Sequence, residues 1–205
     1  MIIWLDYISV FIFALTGALV ASRAQLDIVG FLFISALTAV GGGTIRDLLL
    51  DRNPIFWIND PRFLSLCVIA ALIVFFTAHR FESRYTALVW LDSFALAIAV
   101  AAGSGIAIDV GHTGAILILM GIVTGTFGGM MRDVVCNEVP LVLKQGELYV
   151  SAAFAGASFA AICTALSVSQ PIALIGCACV TWVLRAGSIA FGWRLPVYKS
   201  RPPKF

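Results

Sequence analysis

A six-residue motif occurs twice in this chain, as Gly42-Gly43-Thr44-Ile45-Arg46-Asp47 and as Gly128-Gly129-Met130-Met131-Arg132-Asp133. The offset of 86 positions also superposes, without a gap, Trp4-Leu5-Asp6 on Trp90-Leu91-Asp92, Gly17 on Gly103, Thr38 on Thr124 and Pro54 on Pro140. A period this long marks a duplicated structural unit. Each copy places an arginine and an aspartate near the end of an apolar run. The fold must therefore hold charge within hydrophobic segments, twice.

The 205 residues are 61% hydrophobic and 12% charged, with a mean hydropathy of +1.02. A soluble domain of this length needs more charge to cover its surface. Apolar runs of about 20 residues match a bilayer core of about 30 Å, and they predict an all-α polytopic membrane protein. Seven spans are expected: Trp4 to Ser22, Ile28 to Leu50, Phe63 to Ala78, Ala87 to Ile108, Thr113 to Val135, Leu148 to Val168, and Pro171 to Trp193. The connections are too short to separate soluble domains, so residues 1–205 read as one membrane domain. The first apolar run lacks a basic leader and reads as a retained span.

Repeat one (4–80) and repeat two (87–168) each contain three spans. An odd number sends the second copy into the membrane from the opposite side, which is an inverted-topology repeat. The seventh helix (171–193) is an addition, followed by a basic tail (194–205) that could meet anionic lipid. With the N-terminus outside, the inner side collects most of the basic residues, including Arg23, Arg80, Arg84, Arg132, Lys144, Arg194 and Lys199. Only Arg46, Arg52 and Arg62 fall outside. The positive-inside rule then favours N-out and C-in, in a cell (inner) membrane.

The basic residues are scattered, which gives no nucleic-acid footprint. Five cysteines without ligand spacing read as packing, so neither metal nor cofactor is expected. His-Glu-x-x-His and Gly-x-Ser-x-Gly are both absent from the sequence, and the chain does not read as an enzyme.

The glycines allow two readings. Ser35, Ala39 and Gly43, like Gly121, Gly125 and Gly129, stack at helical spacing and suit close helix packing. Alternatively, Gly41, Gly42, Gly43, Gly128 and Gly129 kink their helices, each glycine lowering helix propensity by about 1 kcal/mol, and border a polar path. The charges allow two readings as well. Arg46 and Arg132 could snorkel to the headgroups, or line that path. Adjacent residues on a helix diverge by about 100°, so Arg46-Asp47 and Arg132-Asp133 are not expected to pair internally. Topology supplies other partners, Asp6 for Arg46 and Asp92 for Arg132, as a charged constriction at each mouth. Arg185 sits inside the seventh span, where an arginine faces a bundle interior unless the helix ends earlier than predicted. Pro54 and Pro140 read as helix stops. Trp57, Trp90, Trp182, Trp193, Tyr149 and Tyr198 read as interfacial anchors, and Asp27 and Asp109 as loop charges.

The doubled glycine-x-x-Arg-Asp motif, at Gly41 to Asp47 and Gly128 to Asp133, resembles prokaryotic members of the TRIC family, the trimeric intracellular cation channels. It also resembles a related bacterial family of glycine transporters. The resemblance spans nearly the whole chain. It implies a homotrimer with a pathway for potassium or sodium ions in each protomer, lined by glycine-kinked second and fifth helices. Carried over, Gly41, Gly42 and Gly43 form one kink, and Gly128 and Gly129 the other. Phe127 stands opposite Gly41 and departs from a triple glycine. Thr38, Thr44 and Thr124 are candidate pore hydroxyls by position and chemistry. The expected function is a potassium-permeable channel. The alternative is a glycine transporter working by alternating access, because paired charges of both signs suit a zwitterion.

Overall fold

The computed structural model describes residues 1–80 and 83–197, and within them the architecture is helical. The elements are α1 (Ile2–Arg23), α2 (Ile28–Leu49), α3 (Phe56–Asn59), α4 (Arg62–Thr77), α5 (Arg84–Asp109), α6 (Gly114–Val135), α7 (Val150–Ala165) and α8 (Gln170–Phe191). A helix satisfies all its own backbone polar groups, which a bilayer demands. Six helices are long and apolar enough to cross, counting α4 with the turn that follows it; α7 is apolar but only 16 residues long.

The observed ends fall within three residues of the expected spans, and the start of α2 and the end of α6 coincide with them; local caps set these ends. Asp27 accepts the Gly30 N–H at 2.8 Å and starts α2 as its N-cap, and so is no idle loop charge. Ser83 caps α5 by accepting the Thr86 N–H. At the other ends, Gln25, Asp51, Gly111 and Asn137 take positive φ, the left-handed conformation that closes a helix. Gln25 and Gly111, like Asp51 and Asn137, are equivalent positions in the two copies. The chain has already turned before Pro54 and Pro140, so the prolines follow the stops rather than make them. The short α3 was not expected; it folds the connection back over α2.

The bundle holds its charged groups inside an otherwise apolar core and turns large apolar side chains outward. Phe33, Phe76, Leu166 and Ile172 are exposed, whereas Arg46, Arg132 and Arg185 are among the largest fully buried side chains. That distribution is what lipid selects: apolar atoms face the hydrocarbon, and charges turn to one another. The centre is built from α1, α2, α5 and α6, with α4 packed on α1 and α2, α7 on α6 and α5, and α8 on α5 and α7. Tyr198 and the basic residues from Lys199 to Lys204 lie outside the described residues.

Candidate functional site

Helices α2 and α6 cross at their glycines, and both continue through them without interruption. A β-carbon at Gly42 would collide with the Thr124 carbonyl oxygen, and one at Gly128 with the Thr38 carbonyl oxygen. The two contacts are the same contact, exchanged between the copies. The outer pair repeats it: a β-carbon on Gly17 would lie 2.7 Å from the Ile34 oxygen, and one on Gly103 2.6 Å from the Met120 oxygen. Glycine is therefore present where backbone meets backbone. Gly43 instead accommodates the ring of Phe56, and Gly41 faces Met131.

Residue 42 meets 124 while 38 meets 128, so α2 and α6 run antiparallel. That carries Arg46 and Arg132 to opposite ends of the crossing. Arg46 donates through Nη1 to Asp6 (3.1 Å) and through Nε to Asp47 (2.9 Å). Arg132 donates through Nη1 to Asp92 (3.1 Å) and through Nε to Asp133 (2.8 Å). The expected Asp6–Arg46 and Asp92–Arg132 pairs form. Both arginines are 0% exposed, which excludes snorkelling.

The expectation that each arginine ignores its neighbouring aspartate was wrong. The 100° divergence separates Cβ directions, but the long arginine stem lies along the helix surface and brings Nε back to the next carboxylate. Each carboxylate of the motif also holds the following connection. Asp47 Oδ2 accepts from Phe56 N, and Asp133 Oδ2 from Leu141 N, both at 2.9 Å. A negative group placed there organises the loop while it neutralises the arginine.

The two triads differ at their edges. Arg52 donates to Asp47 at 2.8 Å, while its counterpart Glu138 pairs with Arg23. Thr16 accepts a second bond from Arg132 Nη1 at 2.8 Å; Arg46 instead lies over the Phe56 ring. Tyr149 donates its hydroxyl to Asp92 Oδ2 at 2.7 Å and is 2% exposed. It is no interfacial anchor, which overturns the expectation for that residue. Its counterpart in the first copy is Phe63, which has no hydroxyl.

Arg185 lies within α8, six residues from its end, and is fully buried. It pairs with Glu147 at 2.8 Å and covers the Tyr149 ring, 4.9 Å from its centroid. Sequence reasoning missed Glu147, Tyr149 and Thr16, since nothing local marks them as partners. Thr38, Thr44 and Thr124 donate to the carbonyls of Ile34, Val40 and Met120 one turn earlier. Trp57 donates to Thr44 at 2.9 Å, so it too is tied into the bundle.

Two cavities of about 260 Å³ border the ends. One is lined by Asp6, Arg52, Asp60, Phe63 and Asp109. The other is lined by Tyr85, Trp90, Glu147, Ser188 and Arg194. At the first, Asp60 accepts from the Tyr7 hydroxyl and from Arg62. The Arg62 guanidinium, with that hydroxyl, holds the Asp60 carboxyl well below the usual carboxylate range. Among the described residues no cluster of His, Cys, Asp and Glu is arranged to hold a metal ion.

Comparison with known proteins places this arrangement. The profile of the family described as "Glycine transporter" matches residues 3–79 and again 89–165, one match per copy. The UPF0126 inner membrane protein YadS of Escherichia coli is 33% identical over 201 residues, covering 97% of this chain and 96% of that protein. A UPF0126 membrane protein of Vibrio cholerae is 33% identical over 195 residues, covering 95% and 81%. Among solved structures, a TRIC trimeric intracellular cation channel orthologue from Rhodobacter sphaeroides is 40% identical, with a TM-score of 0.90 over 93% of this chain and 98% of that one. A second TRIC cation channel structure is 30% identical, with a TM-score of 0.86 over 97% and 98%. A multi-pass helical membrane protein that matches the family profile in both of its copies and shares the TRIC fold, this chain belongs to the glycine transporter family of which the UPF0126 proteins are relatives.

Proposed function

We propose that this protein is a monovalent cation channel, permeable to potassium, with one pathway in each protomer of a homotrimer. The pathway runs along α1, α2, α5 and α6. It passes Gly41, Gly42, Gly43, Gly128 and Gly129 with Thr38, Thr44 and Thr124, and is bounded by the Asp6–Arg46–Asp47 and Asp92–Arg132–Asp133 triads. The carrying observation is the pair of matching buried triads at opposite ends of one antiparallel crossing. Each sets two carboxylates on its central guanidinium; around Arg132 this is an excess of negative charge that favours a cation over an anion, whereas at the other end Arg52 balances it. In the present conformation the crossing is tight, so conduction requires α2 and α6 to part at their glycines.

The solved relatives support this reading: they are TRIC cation channels, and one is a trimeric intracellular cation channel orthologue. The same reading holds α7 to be a seventh crossing and the two copies to be an inverted repeat, with N-terminus out and C-terminus in, in a bacterial inner membrane. The inner-membrane assignment of the YadS relative supports the last point.

A glycine transporter is the second reading, supported by the family description. It is also supported by Nη2 of Arg46 and of Arg132, buried donors without a partner among the described residues, which could hold a carboxylate. Purified protein in a planar bilayer under a potassium gradient, with and without glycine, separates the two. Unitary steps reversing near the potassium potential support the channel. Their absence, together with saturable glycine uptake into liposomes, overturns it.

A further inference from the structure

The cavity of about 260 Å³ beside Asp6 lies between the start of α1, the connection from α2 to α4 and the end of α5. Its ionic groups nearly cancel. Arg46 and Arg52 offset Asp6 and Asp47, and Arg62 offsets Asp60. Asp109 has no basic partner among the described residues; Gln170 donates to one of its oxygens at 2.8 Å. One negative charge is left over. The repeat gives Asp109 the counterpart Arg23 and gives Asp60 the counterpart Gly146, so this set of acids belongs to one end only.

The acceptors are unequal. Asp60 is filled, with both oxygens bound by Arg62 and one of them also by Tyr7. Asp6 is 7% exposed and gives one oxygen to Arg46; the other has no donor among the described residues, and the side chain lines the cavity. Asp109 keeps its second oxygen, and the side-chain carbonyl of Asn59, also in the lining, has no donor there. The remaining walls include Ile2, Ile106, Phe56 and Phe63. We propose that this cavity binds a primary alkylammonium ion, its charged head held by Asp6, Asp109 and Asn59 and its hydrocarbon stem laid against Phe56, Phe63 and Ile106. A protonated primary amine has three N–H donors and accepts nothing, which matches three open acceptors and a single surplus negative charge. A bare potassium ion needs a ring of oxygens in place of its water, and apolar walls supply none. Occupancy takes the last free oxygen of Asp6. The inference goes beyond the channel reading and does not rest on it.

The probe is n-butylammonium, added to the assembled protein in lipid nanodiscs and followed by saturation-transfer NMR. Transfer to the probe should be clear in wild type. Asp109→Asn should weaken its binding about tenfold, the worth of one hydrogen bond to a charged group. Asp109 is exposed, and asparagine can still accept from Gln170, so this variant keeps the fold. Tetramethylammonium, which has the charge but no N–H, should displace the probe only at about tenfold higher concentration than n-propylammonium does. n-Butanol, which has the stem but no charge, should not displace it. Transfer that is equal in wild type and Asp109→Asn, or that n-butanol abolishes, reflects partition into lipid and overturns the proposal. Potassium or tetramethylammonium displacing the probe as readily as n-propylammonium also overturns it, because the site then reads charge alone. Glycine doing so overturns it in favour of a zwitterion. No arm requires a current, so a protein that passes no potassium loses the channel reading and leaves the amine site standing.

Discussion

Substituting alanine at two adjacent glycines of α6 should have opposite consequences. A β-carbon on Gly128 collides with the backbone carbonyl of Thr38, and a backbone atom in a packed helix cannot rotate away. One on Gly129 finds its nearest neighbours, Tyr149 Oη, Arg132 Nη2 and Asp92 Oδ1, at 3.5–3.6 Å, an ordinary contact. Overpacking costs about 1–3 kcal/mol, and replacing a helical glycine by alanine returns about 1 kcal/mol. Gly128→Ala should therefore lose about 1 kcal/mol on balance, while Gly129→Ala gains up to about 1 kcal/mol. Gly42→Ala should behave like Gly128→Ala, since it meets the Thr124 carbonyl oxygen. The double variant Gly42→Ala/Gly128→Ala should lose less than the sum, because a crossing already pried apart has room for the second methyl. Equilibrium unfolding in mixed micelles, with a denaturing detergent as titrant and helicity as readout, measures all four. A Gly128→Ala protein as stable as wild type, or a Gly129→Ala protein equally weakened, would refute the claim that contact rather than flexibility fixes these glycines.

Asp92→Asn should destabilise by about 3–5 kcal/mol, because it leaves a buried guanidinium short of its charge partner; Asp6→Asn, beside a cavity, should cost clearly less in the same titration. Asp27→Ala should cost about 1 kcal/mol through loss of the α2 N-cap, visible as earlier loss of helicity. At Asp60 the folded carboxyl titrates below its unfolded value of about 3.9, so its ion pair contributes fully above that value and is lost only as pH falls through the lower folded value. Infrared titration of labelled aspartate should show it still ionised when ordinary exposed aspartates have protonated, and Arg62→Gln should bring it back among them.

Much of the bundle was legible because its signals are local or periodic. Runs of apolar residues locate the spans, and the 86-position repeat identifies Asp6, Arg46, Asp92 and Arg132 as equivalent members of two pairs. Some helix ends shifted, as at the start of α5, because Ser83 sets it through a single hydrogen bond that hydropathy does not register, while α2 begins and α6 ends where the apolar runs do. The glycines could be identified as important, but their role required the partner helix, because a missing β-carbon has meaning only against the atom it would strike.

By itself, then, the sequence determined a membrane-spanning helical chain with a duplicated charged motif, for the reason that lipid leaves a helix no other way to satisfy its backbone. The tertiary structure alone decided how those charges are used. Whether Arg132 meets Thr16, and whether Tyr149 faces the headgroups or Asp92, depends on the rotation of each helix about its axis. That rotation is set by packing against neighbours distant in the chain: Thr16 and Arg132 are 116 residues apart, and Tyr149 and Asp92 are 57. The apolar faces of such helices are similar all round, so no periodicity in the sequence announces which side turns inward.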